Sequence, residues 1–330
     1  MSAEKSALIF FIEVRPVTKF ALNKIGHTII VLLGITVISF ILANAADIDP
    51  AEAYARRQYR GASEAGITEI RKELGFDKPV PEQYLRWLKQ AVRLDFGSSY
   101  ITKKPVIQEI AKALPTTLCI AAVAALAILV IAIPLGVIAA SKEGGAADAA
   151  VSAFSFLCLS VPGYFLGLVC IYLFGYKLKV FPVIGHGDPF SILFAALVLA
   201  APMIGSLSKM LRSLILEYQK SDFVVYALAR GISRSNIMVC HLLRNAAPPC
   251  LTMFGQNIGY LIAGTAVVET IFSCPGLGSY ALAAALNRDF PVVTAYMFLT
   301  ALFFVTCNFC ADVGALLLNP KSRQLQENLQ

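Results

Sequence analysis

Residues 115–140 read PTTLCIAAVAALAILVIAIPLGVIAA, without one charged side chain. A run of about 20 apolar residues is long enough for a helix to cross a bilayer. The chain contains further runs of this kind, and together they predict six transmembrane helices, at residues 25–45, 115–140, 151–176, 190–211, 248–271 and 292–318. The sequence therefore predicts an all-α polytopic membrane protein.

The composition of the whole chain agrees with this prediction. Of its 330 residues, 57% are hydrophobic and only 15% are charged, whereas about 25% are charged in soluble domains. The net charge of +7 is typical of a membrane protein with basic cytoplasmic loops, and we expect no nucleic-acid partner. The sequence has no G-x-x-x-x-G-K-[ST] phosphate loop. We therefore expect neither a catalytic residue nor a bound cofactor on this chain.

A metal site is not predicted either. Cys307 and Cys310 form a C-x-x-C pair, but they lie inside a membrane-length helix and no second pair accompanies them. A zinc site needs more than two ligands, and the pair lies in an apolar run, so the pattern favours packing of two small apolar residues over a zinc or redox site.

The distribution of Lys and Arg predicts the orientation. With the N-terminus inside, the short internal segments carry 13 of these residues and the short external loops carry 3. Because cytoplasmic loops are enriched in Lys and Arg, both termini are predicted to be cytoplasmic. The first apolar run resembles a signal peptide, but its length favours an uncleaved first helix.

This topology divides the chain into a cytoplasmic tail, a first transmembrane helix, an extracytoplasmic subdomain, a five-helix core and a second cytoplasmic tail, at residues 1–24, 25–45, 46–114, 115–318 and 319–330. Two helices are predicted in the subdomain. The first has apolar residues at helical spacing and ends at a glycine: Ile67, Ile70, Leu74 and Gly75. The second opens at Pro81 and places three apolar residues on one face: Leu85, Leu88 and Val92.

Charged residues inside transmembrane helices are rare and are often functional. Lys209 lies near the inner end of its span and is expected to reach the headgroups. Glu269, Asp312 and Asn308, one turn before Asp312, are candidates for a transport pathway or gate. The alternative for all of them is an interfacial position or a hydrogen bond between helices.

Residues 212–249 lie inside by the charge distribution, yet they do not form an ordinary polar loop. Ser221 or Asp222 can cap the start of a short helix, and Gly231 can end it. Between them stand four apolar residues: Phe223, Val224, Ala227 and Leu228. A helix of this kind needs either a groove on a partner or the bilayer surface to cover its apolar side.

The same segment carries a resemblance to a known family. The sequence YALARG at 226–231, nine residues, and then HLLRNA at 241–246 resembles the "EAA" loop of ABC-importer permeases. More narrowly, it is similar to the B subunits, or first permeases, of the oligopeptide/dipeptide/nickel family. Further blocks agree: LGFDKP at 74–79, LDFGSS at 94–99, LPTTL at 114–118, ETIF at 269–272, PGLG at 275–278 and NRDFPV at 287–292.

The resemblance implies a type I ABC-importer permease bundle in the bacterial inner membrane, with an extracytoplasmic helical subdomain. It implies a homologous second permease, two ABC ATPases that bind ATP-Mg, and an extracytoplasmic solute-binding protein that delivers peptides, nickel or metal chelates. The residues expected to couple transport to the ATPase are Asp222, Ala227, Ala229, Arg230, Gly231, Arg244 and Asn245. The candidates for docking the binding protein are Tyr84, Tyr100, Arg288 and Asp289.

The chain departs from the family pattern at Tyr226 and Leu228 and in the NPK sequence at 319–321. An independent secondary transporter or channel is the alternative function. It would not require a docking helix for an ATPase, so the 216–231 segment distinguishes the two.

Overall fold

The computed structural model describes residues 26, 28–38, 40–41, 52, 55, 63–184 and 187–318. The predicted tails at 1–24 and 319–330, and most of 42–62, lie outside this part. The regular structure of the described residues is helical, apart from an isolated antiparallel bridge between Ser98 and Pro105.

The helices, numbered in chain order, are α1 Thr28–Ile38, α2 Glu64–Leu74, α3 Val80–Ala91, α4 Val106–Ser141, α5 Ala146–Ser160, α6 Gly163–Cys170, α7 Pro189–Gln219, α8 Asp222–Ala229, α9 Arg234–Asn236, α10 Leu243–Ile271, α11 Leu277–Leu286 and α12 Phe290–Leu318. Two π-helical segments continue α6 and α9: Ile171–Lys177 and Ile237–Leu242.

Four helical stretches in the described part are long and apolar enough to cross a membrane: Val106–Ser141, Pro189–Gln219, Arg234–Ile271 and Phe290–Gly314. They contain the spans predicted at 115–140, 190–211, 248–271 and 292–318. The first predicted span, 25–45, lies partly outside the described residues, and the described part holds the short apolar helix α1.

The span predicted at 151–176 is sharply bent. Here α5 and the helix that begins at Gly163 meet at an angle of 102°. The break has a local cause, because the residue before a proline is driven out of the helical region. Val161, which precedes Pro162, is extended, with φ −83° and ψ 123°. Counted as one bent span, the pair brings the candidate spans to five.

The helix that contains the predicted span 115–140 is longer than the span itself. Helix α4 begins at Val106, nine residues earlier, so the start of the second span projects beyond the predicted core. Helices α4, α7 and α10 form the centre of the bundle, where Ile120, Ile128, Ile204 and Leu261 share one buried apolar cluster.

Glycines allow neighbouring helices to approach closely. A Cβ on Gly255 of α10 would lie 1.8 Å from the Cβ of Ala311 in α12, and one on Gly205 of α7 would lie 2.8 Å from the Ser155 carbonyl oxygen in α5. Small residues at such contacts are the usual means by which membrane helices pack.

The predicted subdomain contains two helices, as expected. Helix α2 ends at Gly75, whose φ of 71° is left-handed, as predicted for a glycine after a helix. On the apolar face predicted for α3, Leu85 is 63% exposed and Val92, just after the helix, is 73% exposed. Instead, the ring of Trp87 packs against Phe298 of α12.

Candidate functional site

The loop between α7 and α10 forms a compact unit built around α8. Helix α7 continues to Gln219, well beyond the predicted span, before the chain turns at Ser221. Asp222 occupies the first turn of α8, where a carboxylate complements the positive end of the helix dipole. The sequence correctly predicted both ends of this helix.

Gly231 completes the C-terminal cap of α8. Its φ is +74°, and its N–H donates to the Leu228 carbonyl at 2.9 Å. The Ile232 N–H donates to the Ala227 carbonyl at 3.1 Å. This pair of bonds is the Schellman motif, in which a glycine adopts the left-handed conformation at the lowest energy.

The predicted apolar stripe of α8 divides between two faces. Val224 and Ala227 are buried, in one cluster with Ile215 of α7 and Leu242. Ala227, predicted as a coupling residue, therefore anchors α8 to its own chain. The four apolar residues therefore do not share one face, because Val224 and Ala227 are buried whereas Phe223 and Leu228 are exposed.

The outer face of α8 is apolar as well, and the described chain leaves it uncovered. Its exposed apolar side chains are Phe223, Val225, Tyr226 and Leu228. Tyr226 is 72% exposed, and the sequence marked it only as a departure from the family pattern. Arg230, Arg234 and Arg244 are exposed nearby in the loop, as is Ala229. The arrangement presents an apolar surface with basic residues around it.

Asn245 has an internal bond rather than a free amide. Its Nδ2 donates to the carbonyl of His241 at 2.7 Å, one turn earlier. His241 belongs to the π-helical segment Ile237–Leu242, a rare geometry that often occurs at functional positions. Asn245 thus provides a hydrogen-bond donor for a backbone carbonyl in the wide π-helical turn that joins the loop to α10.

An ion pair that sequence reasoning missed ties α5 to α7 beside this loop. The Arg212 guanidinium donates to Asp148 twice, from Nε at 2.6 Å and from Nη2 at 2.7 Å. The Gly144 N–H donates to the same carboxylate at 3.0 Å. Asp148 and Arg212 are 64 residues apart, and no local pattern connects them.

Glu269 lies at the opposite end of the bundle and is fully buried. The Thr117 hydroxyl donates to its Oε1 at 2.6 Å, and the Ser279 N–H donates to its Oε2 at 2.8 Å. Thr117 also accepts the Leu277 N–H at 2.7 Å. Glu269 therefore caps the start of α11 and links it to α4, so it faces no open surface of this chain.

The docking candidates fall into two groups. Asp289 is only 1% exposed and accepts the Ser99 hydroxyl at 2.5 Å and the Tyr100 N–H at 3.0 Å. The Tyr84 hydroxyl forms a hydrogen bond with the Thr36 hydroxyl. These two residues hold the subdomain in place, whereas Arg288 is exposed in a left-handed conformation with φ 57°.

A cavity of about 560 Å³ opens between α3, the 96–100 turn and the start of α12. Tyr100 lines it together with Arg86, Trp87 and Lys103. Its walls combine aromatic rings with basic side chains.

The two other pathway candidates lie together in the membrane bundle. Asn308 and Asp312 line a cavity of about 450 Å³ with Gln256 and Tyr260 of α10. Asn308 donates its Nδ2 to the Phe304 carbonyl at 3.0 Å. Glu269 is not part of this cavity. In the described residues, no three of His, Cys, Asp and Glu come together as a metal site.

Comparison with known proteins defines the class. Residues 132–324 match the family of binding-protein-dependent transport system inner membrane components, and residues 17–121 match the N-terminal model of such membrane components. The chain belongs to this family. It is a multi-pass permease subunit of an ATP-driven importer, and ATP hydrolysis falls to partner ATPases.

Its relatives include permeases named for different substrates. The metal-staphylopine import system permease protein CntB of Staphylococcus aureus is 31% identical, over 93% of this chain and 98% of that protein. The probable peptide permease y4tP of Sinorhizobium fredii is 30% identical, over 92% and 99%. The oligopeptide permease AppB of Bacillus subtilis is 33% identical, over 88% and 95%. The family decides against an independent secondary transporter or channel.

Proposed function

We propose that α8 is the docking element through which a partner ATPase drives this permease. The observation that carries the proposal is its two apolar faces. The inner face, Val224 and Ala227, fixes α8 to α7, and the outer face, with Val225 and Tyr226, is exposed. Large apolar side chains on a solvent-exposed face indicate a binding partner. The basic residues around them favour a partner with an acidic surface.

In this proposal the chain has six spans, namely α1, α4, the bent pair α5–α6, α7, α10 and α12. Both termini and the α8 loop face the cytoplasm, and α2 and α3 lie outside. A homologous second permease completes the pathway, with the cavity of Asn308 and Asp312 on its inner half. Two ATPases carry ATP-Mg, and this chain binds no cofactor of its own.

The proposed substrate is a peptide or a metal chelate, nickel included, since the relatives are named for peptide and metal-staphylopine transport. An extracytoplasmic binding protein would deliver it to the surface formed by Tyr100 and Arg288. Uptake of a labelled oligopeptide and of labelled nickel, compared in one strain, distinguishes the two substrate classes.

The docking proposal is tested by placing charge on the outer face of α8. Tyr226→Glu is expected to abolish copurification of the ATPase while leaving the amount of permease in the membrane unchanged. Ile101→Glu is the matched control, because Ile101 is also an exposed apolar residue but lies on the subdomain. A Tyr226→Glu complex that retains its ATPase and transports at the normal rate would overturn the proposal.

A further inference from the structure

Helix α3 has apolar residues around a wide part of its circumference, and the rest of the described chain buries only half of them. Tyr84, Trp87 and Ala91 form the covered half of this arc, and Ala91 is fully buried. Leu85 and Val92 form the other half, and they are 63% and 73% exposed. Leu85, Lys89 and Val92 follow one another at helical spacing, so they share one flank of α3. This flank comprises large apolar side chains and one lysine.

The covered half of α3 rests on the sides of two membrane helices. The hydroxyls of Tyr84 and of Thr36 in α1 are 2.9 Å apart. Because the Thr36 hydroxyl donates to the Leu33 carbonyl, Tyr84 is the donor. The ring of Trp87 meets Phe298 of α12 edge-on, with centroids 6.1 Å apart. Phe298 lies eight residues into α12, which is about 12 Å along the helix axis.

These contacts place α3 beside α1 and the N-terminal third of α12. Tyr and Trp side chains, such as Tyr84 and Trp87 of α3, are enriched where membrane proteins cross the membrane–water interface. The apolar surface of α1 extends up to α3, since Ile38 and Ile41 are exposed on either side of Phe40, and the Phe40 ring contacts Tyr84 at 5.6 Å.

Helix α3 has one acidic residue, Glu82, which is paired with Lys78 at 2.6 Å, and the charges that follow it are mostly basic. Between residues 86 and 104 the sequence has five basic residues and one acidic residue: Arg86, Lys89, Arg93, Lys103, Lys104 and Asp95. Lys89 and Arg93 are exposed, and among the described residues neither forms an ion pair. Asp95 is occupied, because its Oδ1 accepts the Gly97 N–H.

We infer that α3 is an interfacial helix, with the Leu85–Val92 flank in the bilayer surface and with Lys89 and Arg93 bound to anionic phospholipid headgroups. A basic amphipathic helix with Trp and Leu on its apolar side lies in this way on lipid. The inference rests on the proposed topology only for the choice of leaflet. It assigns this flank to lipid, and it leaves the cavity beside Tyr100 and Lys103 to the binding protein.

The position of the flank is measured with spin labels in the assembled transporter, in vesicles of phosphatidylcholine and phosphatidylglycerol. Leu85→Cys and Val92→Cys are introduced singly, in a chain whose exposed native cysteines, Cys119, Cys240 and Cys310, are replaced by serine. Both labels are expected to be relaxed more by oxygen than by a water-soluble nickel chelate. Lys72→Cys, on the exposed face of α2, is the control and is expected to show the reverse.

Labels at 85 and 92 that respond mainly to the nickel chelate would overturn the inference. So would labels shielded from both reagents, which indicates the second permease, or labels shielded only when binding protein is added. The test of ATPase docking is independent of this one. If Tyr226→Glu abolishes docking of the ATPase, the spin labels at 85 and 92 are still expected to lie in lipid. A failure of the proposed function is thereby distinguished from a failure of this inference.

The headgroup contact is tested by neutralising the two charges. Lys89→Gln and Arg93→Gln are each expected to lower the ratio of phosphatidylglycerol to phosphatidylcholine retained by the purified transporter, on the order of fivefold per residue. Lys72→Gln removes the same charge from α2 and is expected to leave the ratio unchanged. An unchanged ratio in both α3 variants would contradict a headgroup site.

Discussion

Buried carboxylates hold one end of the bundle, and apolar packing with a partly exposed ion pair holds the other. At the α11 end, Glu269 and Asp289 accept hydroxyl and backbone N–H groups. Within the described part of the chain, neither forms an ion pair with Lys or Arg. At the α8 end, Val224 and Ala227 pack into an apolar cluster, and Arg212 binds Asp148.

This difference bears on which end can move. A buried carboxylate that loses its donors is left with a large desolvation penalty, so its position is tightly fixed. Apolar contacts are not directional, and a short helix can shift on them at lower energy. We therefore expect α11 to be the fixed end and α8 the end at which movement enters.

The largest effect is expected from Glu269→Ala. It leaves the Thr117 hydroxyl and the Ser279 N–H without their buried acceptor, a loss of about 3 kcal/mol of stability. The thermal unfolding midpoint of the purified complex should fall, and less permease should accumulate in the membrane. Glu269→Gln keeps one side-chain oxygen in place and should lose less. An alanine variant as stable as the parent would show that this clamp is not what fixes α11.

Asp289→Asn should have a smaller and local effect. The amide keeps the size of the carboxylate but has only one acceptor oxygen for two donors, a loss of about 1–2 kcal/mol. Hydrogen–deuterium exchange should accelerate at the amides of Tyr100, Ile101 and Thr102, since they depend on Asp289 directly or through Ser99. Exchange in α8 is the internal control. Equal acceleration at both ends would remove the distinction between them.

The Asp148–Arg212 pair should contribute to stability at the α8 end. Asp148→Asn removes the negative charge that the Arg212 guanidinium binds at 2.6 and 2.7 Å, a loss of about 1 kcal/mol. The thermal unfolding midpoint of the purified complex should fall accordingly. An unchanged midpoint would mean that the pair does not contribute as an ion pair.

The sequence predicted those features that local chemistry determines. Apolar runs located four continuous spans, and glycines marked the ends of α2 and α8, because span length and left-handed glycines leave a local signature. The coupling of Asp148 to Arg212 and of Asp289 to Ser99 could not be predicted, since these contacts join residues 64 and 190 positions apart.

The errors have physical causes as well. Helical spacing identified apolar residues on α3, but it does not tell which half of a wide arc meets the bundle and which remains exposed. In the same way, helical spacing did not separate the apolar residues of α8 into a buried face, with Val224 and Ala227, and an exposed face, with Phe223 and Leu228. The bend after α5 has a local signature, because Pro162 excludes Val161 from the helix, but the sequence does not give the angle of such a bend.

The smallest effect, and the sharpest comparison of the two ends, comes from two glycines. Gly231 and Gly97 both have left-handed φ angles, +74° and +73°, and a Cβ on either would meet no atom within 4 Å. Alanine therefore adds only backbone strain, about 1 kcal/mol at each position. Because the strain is the same at both positions, any difference in ATPase response between the two variants is due to the position of the glycine in the molecule. Gly231→Ala should weaken the response of the ATPase to loaded binding protein, as it shifts α8 against its inner contacts, whereas Gly97→Ala should leave the response intact. The measurement is ATPase activity with and without loaded binding protein, at matched permease abundance. If both variants respond alike, the cap of α8 has no special part in coupling, and the two ends differ in stability alone.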